Sequence, residues 1–121
     1  MASEAYVQAS LSFLSGTRRD LVQPGKASDV SVKVLANHQQ SIATSETAID
    51  LGGVATMGWV MFFNRDATNY IEIKTAASGT IIGKMLAGES YGQVRIGSGV
   101  TAPVAIANTS ACLMDVLILS T

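Results

Sequence analysis

Charge is what this chain has least of. Asp, Glu, Lys and Arg make up only 14% of its 121 residues, against about 25% in an average soluble domain. Eight basic and nine acidic residues leave a net charge of −1. No basic field is therefore available to gather nucleic acid by counterion release, or to hold the chain on an anionic bilayer. One cysteine cannot form an internal disulfide. Cys112 lies in the apolar run Ala111-Cys112-Leu113-Met114, with no His or Lys beside it to lower its pKa, and reads as a small buried hydrophobe. The longest apolar stretch, Val60-Met61-Phe62-Phe63 with Trp59 ahead of it, is far shorter than the ~20 residues that span a bilayer. Met1 to Leu14 has neither the basic start nor the unbroken apolar segment of a signal peptide, so synthesis in a cytoplasm without an export signal is expected.

Catalytic and metal-binding patterns are missing too. His38 is the only histidine, its neighbours are Asn37, Gln39 and Gln40, and no Ser or Asp spacing supports a relay. Asp20, Asp29, Asp50 and Asp66 are scattered, with no calcium-loop spacing and no His/Cys cluster. Gly52-Gly53 and Gly97-Ser98-Gly99 lack the strand–helix setting and the Lys-Ser/Thr of a phosphate loop, and read as turn glycines. Glu46 and Glu89 both fall in turn-like segments and make no acid–base pair. The expectation is a protein with no catalytic residues, no metal and no cofactor. Trp59 and Tyr70 offer aromatic rings for a sugar, but Trp59 stands among Met61, Phe62 and Phe63, where a core or interface role fits better.

Ser, Thr, Asn, Gly and Ala replace the missing charge, and such a surface is poorly defended against association. Gly and Asn/Asp punctuate the chain about every ten residues, and short alternating or β-branched runs fill the gaps. That spacing predicts an all-β antiparallel β-sandwich or barrel of about eight or nine short strands. Residues 1–28 form an N-terminal arm or first strand followed by a polar loop over Gly16–Ser28, and residues 29–121 the sandwich. In the arm, Ala5, Val7, Ala9, Leu11 and Phe13 share one side at period two. Further strands are expected at Asp29–Ala36, Ser41–Ser45, Ala48–Leu51, Met57–Phe63, Tyr70–Thr75, Ile81–Met85, Tyr91–Ile96, Val104–Ala107 and Cys112–Leu119.

Most of these strands have one apolar and one polar face, as in antiparallel sheets wet on one side. Two do not. Met57–Phe63 is apolar on both faces, and so is Cys112–Leu119 apart from Asp115. One face of each can meet the core of a small sandwich. The other needs a cover, supplied either by loops folded over a closed barrel or by another subunit, and the low charge of the chain favours the subunit. Trp59, Met61, Phe62, Phe63, Met114, Val116 and Leu117 are the candidate oligomer-interface residues.

Residues from about Ile42 onward carry a resemblance. Ala43-Thr44-Ser45-Glu46-Thr47-Ala48-Ile49-Asp50-Leu51-Gly52 is followed by Gly58-Trp59, then by Asn64-Arg65-Asp66-Ala67-Thr68-Asn69-Tyr70-Ile71-Glu72. Lys84-Met85-Leu86-Ala87-Gly88-Glu89 and Ala105-Ile106-Ala107-Asn108-Thr109 lie downstream. Together these resemble small virion structural proteins of tailed bacteriophages, of the capsid decoration or cement type. The Asn-Arg-Asp-Ala-Thr-Asn-Tyr turn is the most specific part, and Met1 to Gln40 carries little of the likeness. The resemblance implies a sandwich of jelly-roll type, assembled as a homotrimer, that sits on the capsid surface of the virion and clamps neighbouring major capsid subunits. It brings no catalytic residues. The matched turns read as structural, with Asp66 and Asn69 suited to hairpin geometry and Gly88 to positive φ. Arms in such proteins reach across to neighbours, which makes Val7 and Leu11 candidate capsid contacts. Arg18 and Arg19 add a basic pair for an acidic partner surface. Another phage virion module (tail, connector or head-fibre base) and a carbohydrate-binding β-sandwich are the alternatives.

Overall fold

The computed structural model describes residues 4–15, 17–29, 35–97 and 99–120, all of them in strands and the turns and loops between them. The chain divides into two compact units, 1–33 and 34–121.

The first unit is a two-stranded antiparallel ribbon of β1 (Glu4–Ser15) and β2 (Thr17–Asp29). Gly16–Ser28, expected as a polar loop, is thus mostly strand. Pro24 and Gly25 carry a turn signal in the sequence. Here they fall where the register shifts, between the pairs Val7↔Lys26 and Ala9↔Gln23. At such a bulge a missing ladder N–H and a flexible residue are tolerated within a strand.

The second unit is an antiparallel β-sandwich of two four-stranded sheets. One runs β3 (Leu35–Ile42), β10 (Cys112–Ser120), β5 (Met57–Asn64), β8 (Ser90–Arg95). The other runs β4 (Thr47–Ala48), β9 (Val104–Ala107), β6 (Ile71–Lys74), β7 (Ile81–Met85). Every connection from β3 onward passes from one sheet to the other except the β6–β7 hairpin. Several expected strands lie almost where the alternation put them. The early ones differ. Residues 30–34 of the expected strand Asp29–Ala36 lie outside the described residues. Ser41–Ser45 contributes only Ser41 and Ile42 to β3. Ala48–Leu51 shrinks to β4, because Asp50 Oδ1 accepts the Gly52 N–H at 2.8 Å and turns the chain there, with Gly52 at φ +59°.

Period two decides which side chains meet between the sheets. Val60 and Phe62 of β5, Cys112, Met114, Val116 and Ile118 of β10, and Ala36 and Ile42 of β3 point inward, onto Ile71, Ile73, Met85, Ala105 and Ala107 of the facing sheet. Phe62, Met114 and Ile118 are wholly shielded and Val116 nearly so. Phe62, Met114 and Val116 therefore leave the candidate interface: they fill this core and cannot meet a partner. Tyr91 stacks on Phe62 with centroids 6.3 Å apart and lies against Gly83, where a Cβ would come within 2.4 Å of the ring. Opposite Met61, β8 bulges through Gly92 at φ +142°, whose Cβ would stand 2.5 Å from Met61 Cα.

Truncating Phe62 to Ala removes a fully buried ring and is expected to cost about 3–5 kcal/mol. Ile81→Ala, at a half-exposed position on an outer strand, is expected to cost less than about 1 kcal/mol. Urea unfolding of the two variants checks the contrast.

Candidate interaction face

The inward residues leave their neighbours on the outer side of the β3-β10-β5-β8 sheet. Trp59, Met61 and Phe63 project from β5, and Leu113, Asp115, Leu117 and Leu119 from β10. The register sets Leu117 beside Met61 and Asp115 beside Phe63. On the far side of β10, Asn37 pairs with Leu117 and Gln39 with Asp115. Two central strands thus carry an apolar band, and β3 and β8 carry a mostly polar margin with Leu35 at one corner. Leu113 remains 51% exposed and Leu117 41% on this face. A shallow depression of about 440 Å³ has Met61, Phe63 and Leu117 among its lining, rimmed by Asn37, Gln39, Arg65 and Asp115.

Two guanidiniums lie over the aromatic part of the band. Arg65 stands 4.7 Å from the Phe63 ring centre, and its Nε donates to Asp115 Oδ2 at 2.6 Å. Arg95 stands 4.8 Å from the Trp59 ring centre, over an indole whose Nε1 is shielded and has no partner among the described residues. Burial works to raise the pKa of Asp115, but hydrogen bonds from Gln39 and Arg65 and the charge of Arg65 outweigh it, so the carboxyl is held below its ordinary range. The one acid among the band residues is thus ionised and paired at neutral pH. With strands about 4.8 Å apart and about 3.3 Å of rise per residue, the face covers roughly 500 Å² in projection.

Of the expected interface residues, Trp59, Met61, Phe63 and Leu117 come together here. Sequence reading missed Leu113, Leu119, Arg65, Arg95 and Asp115 as members of the same face. Strict alternation along Cys112–Leu119 would have separated Leu113, Leu117 and Leu119 from Met114 and Val116. Among the expected capsid contacts, Leu11 is 72% exposed on the ribbon, opposite Leu21. The side chains of Val7, Arg18 and Arg19 lie outside the described residues.

The turn residues that carried the resemblance do structural work at one corner of the sandwich. Asn64–Tyr70 links β5 to β6 across the two sheets, not within a hairpin. Asn64 is fully buried; its Nδ2 donates to the carbonyls of Asn69, Met85 and Leu86, and its Oδ1 accepts the Asp66 N–H. Asp66 Oδ2 accepts the backbone N–H groups of Asn69 at 2.6 Å and Thr68 at 3.0 Å. Asn69 in turn ties to Ser110 and Thr109, and Asn108 Oδ1 accepts the Tyr70 N–H. Gly88 does adopt positive φ, +76°. Nearby, Cys112 is 1% exposed, and burial with the Asp66 charge pushes its thiol pKa up. His38 lies on the inner side of β3, its Nε2 4.0 Å from Asp50 Oδ2. Among the described residues no group of three His, Cys, Asp or Glu side chains could hold a metal ion.

Fold and face together define an all-β sandwich with a partly exposed apolar band on the outer side of the β3-β10-β5-β8 sheet. No known family model matches the chain, and no curated protein or solved structure does.

Hydrogen bonds from the Asn69 and Thr68 backbones hold the Asp66 carboxyl below its ordinary pKa. A carboxyl depressed in the folded state contributes stability that is present above its unfolded pKa and lost as pH falls through the folded value. Asp66→Ala is therefore expected to destabilise the protein at pH 7 and to flatten its loss of stability in acid. Denaturant titrations at pH 7 and pH 3 check both signs.

Proposed function

We propose that this chain is a non-enzymatic structural protein that associates with copies of itself through the outer face of the β3-β10-β5-β8 sheet, and that it serves as a capsid decoration protein of a bacteriophage. The observation that carries the reading is the apolar band on the two central strands, where Leu113 and Leu117 stay exposed beside half-buried Met61 and Phe63. The occupant is a second copy because the band is apolar along its axis and its charged groups are already engaged, Arg65 by Asp115 and Arg95 over the Trp59 ring. An inverted or rotated copy can meet it without stranding a charge.

The strand order supports a sandwich of jelly-roll type, since two interlocked Greek keys produce this alternation of sheets around a single hairpin. A trimer is the assembly that the resemblance to capsid decoration proteins implies. It would present three ribbons, each with an exposed Leu11, to neighbouring major capsid subunits on the virion surface. Several weak contacts held on one rigid particle then act with the avidity of a clamp. Arg95 lies over Trp59, which argues against that ring as a free platform for a sugar.

The double variant Met61→Glu/Leu117→Glu is expected to keep its β circular dichroism while eluting at a smaller size and losing its sedimentation with expanded phage heads. The unaltered chain should sediment with heads and ignore free capsid subunits. A chain that ignores heads at every concentration contradicts the decoration role, and label found on tails assigns it to another part of the particle.

A further inference from the structure

The four outer strands of the two sheets are not equally protected. Strand β4 is two residues long. Strand β7 carries Lys84 and a register shift against β6. Strand β8 ends in Arg95 and is bulged at Gly92. Each of these is a known way of blunting an edge. Strand β3 has none of them. Its eight residues, Leu-Ala-Asn-His-Gln-Gln-Ser-Ile, hold no Lys, Arg, Asp, Glu, Pro or Gly, and its ladder to β10 runs from Leu35 to Ile42 without a shift. Among the described residues of unit 34–121 no strand pairs with its outer edge.

We infer that the free edge of β3 is a second association site, taken by β3 of another copy in antiparallel register about a two-fold axis. A long, regular, unblocked edge is a template for pairing. The occupant is a copy of the same strand because neutrality is what self-pairing needs: with no formal charge among eight residues, no like charges meet across the new ladder. Register agrees. When the axis passes through a residue, odd positions face odd and even face even, so the inner and outer faces of both sheets stay continuous. Gln40 already braces the strand for this, donating to the Ala48 carbonyl at 2.6 Å and accepting the Asp50 N–H at 2.9 Å, which pins β3 to the opposite sheet without using its edge. The edge joins a different copy from the one on the apolar face, so each subunit holds two distinct contacts.

Residue-resolved amide exchange on the full chain tests this across a dilution series. Alternate β3 amides are expected to exchange about tenfold or more slowly at high concentration than at low, and Leu35→Lys/Ser41→Lys should abolish that difference while circular dichroism is unchanged. The face variant Met61→Glu/Leu117→Glu should keep it, which separates failure of the edge from failure of the face. Equal exchange at all concentrations, or β3 protection that appears only when phage heads are added, overturns self-pairing.

Discussion

A sandwich has one interior, and the β-pleat sends alternate side chains to opposite sides of every strand. The rest of this structure depends on how β5 and β10 meet that constraint. Both lie in the middle of one sheet, and both are apolar at even and odd positions. Val60, Phe62, Met114, Val116 and Ile118 fill the core completely. Met61, Phe63, Leu113 and Leu117 then fall on the outer side, the first two half-buried and the leucines exposed. A two-layer fold cannot hide both sets.

Magnitudes indicate what such a face can do. Two copies meeting face to face bury roughly 1,000 Å², about 60% of it apolar. At about 25 cal/mol per Å² that is worth about 15 kcal/mol, against an association cost of about 4–15 kcal/mol. A face-to-face pairing of this size would be of modest strength, below the roughly 800 Å² per partner of a standard interface. A closed ring or a second contact raises it. The Arg65–Asp115 pair adds little energy where it is exposed, but in such a pairing it would help set orientation, and the arginines over Phe63 and Trp59 cover part of the aromatic surface.

Much of this was legible in the chain. The strands expected at Tyr70–Thr75 and Tyr91–Ile96 lie close to β6 and β8, because alternating apolar and polar residues leave a clear period. Val60-Met61-Phe62-Phe63 was legible as an excess of apolar surface, but an all-apolar run has no period, so Phe62 could not be told from Met61 without the register that pairs Phe62 with Val116 and Met61 with Leu117. The loop expected over Gly16–Ser28 lies largely in β2 because Pro24-Gly25 carries the same signal in a bulge as in a loop. The Asn64–Tyr70 corner was recognised as a turn. Its links to Asn108, Thr109 and Ser110, some forty residues away, are non-local and leave no mark in the local pattern.

Sedimentation equilibrium of the unaltered chain from nanomolar to high micromolar concentration asks most directly whether sister molecules roof the β5–β10 face. A mass that rises from 12.6 kDa to a small whole multiple, with acrylamide quenching of Trp59 falling in step, is the expected result. A mass that stays at that of one chain throughout, with Trp59 equally quenched at both ends of the series, would contradict it.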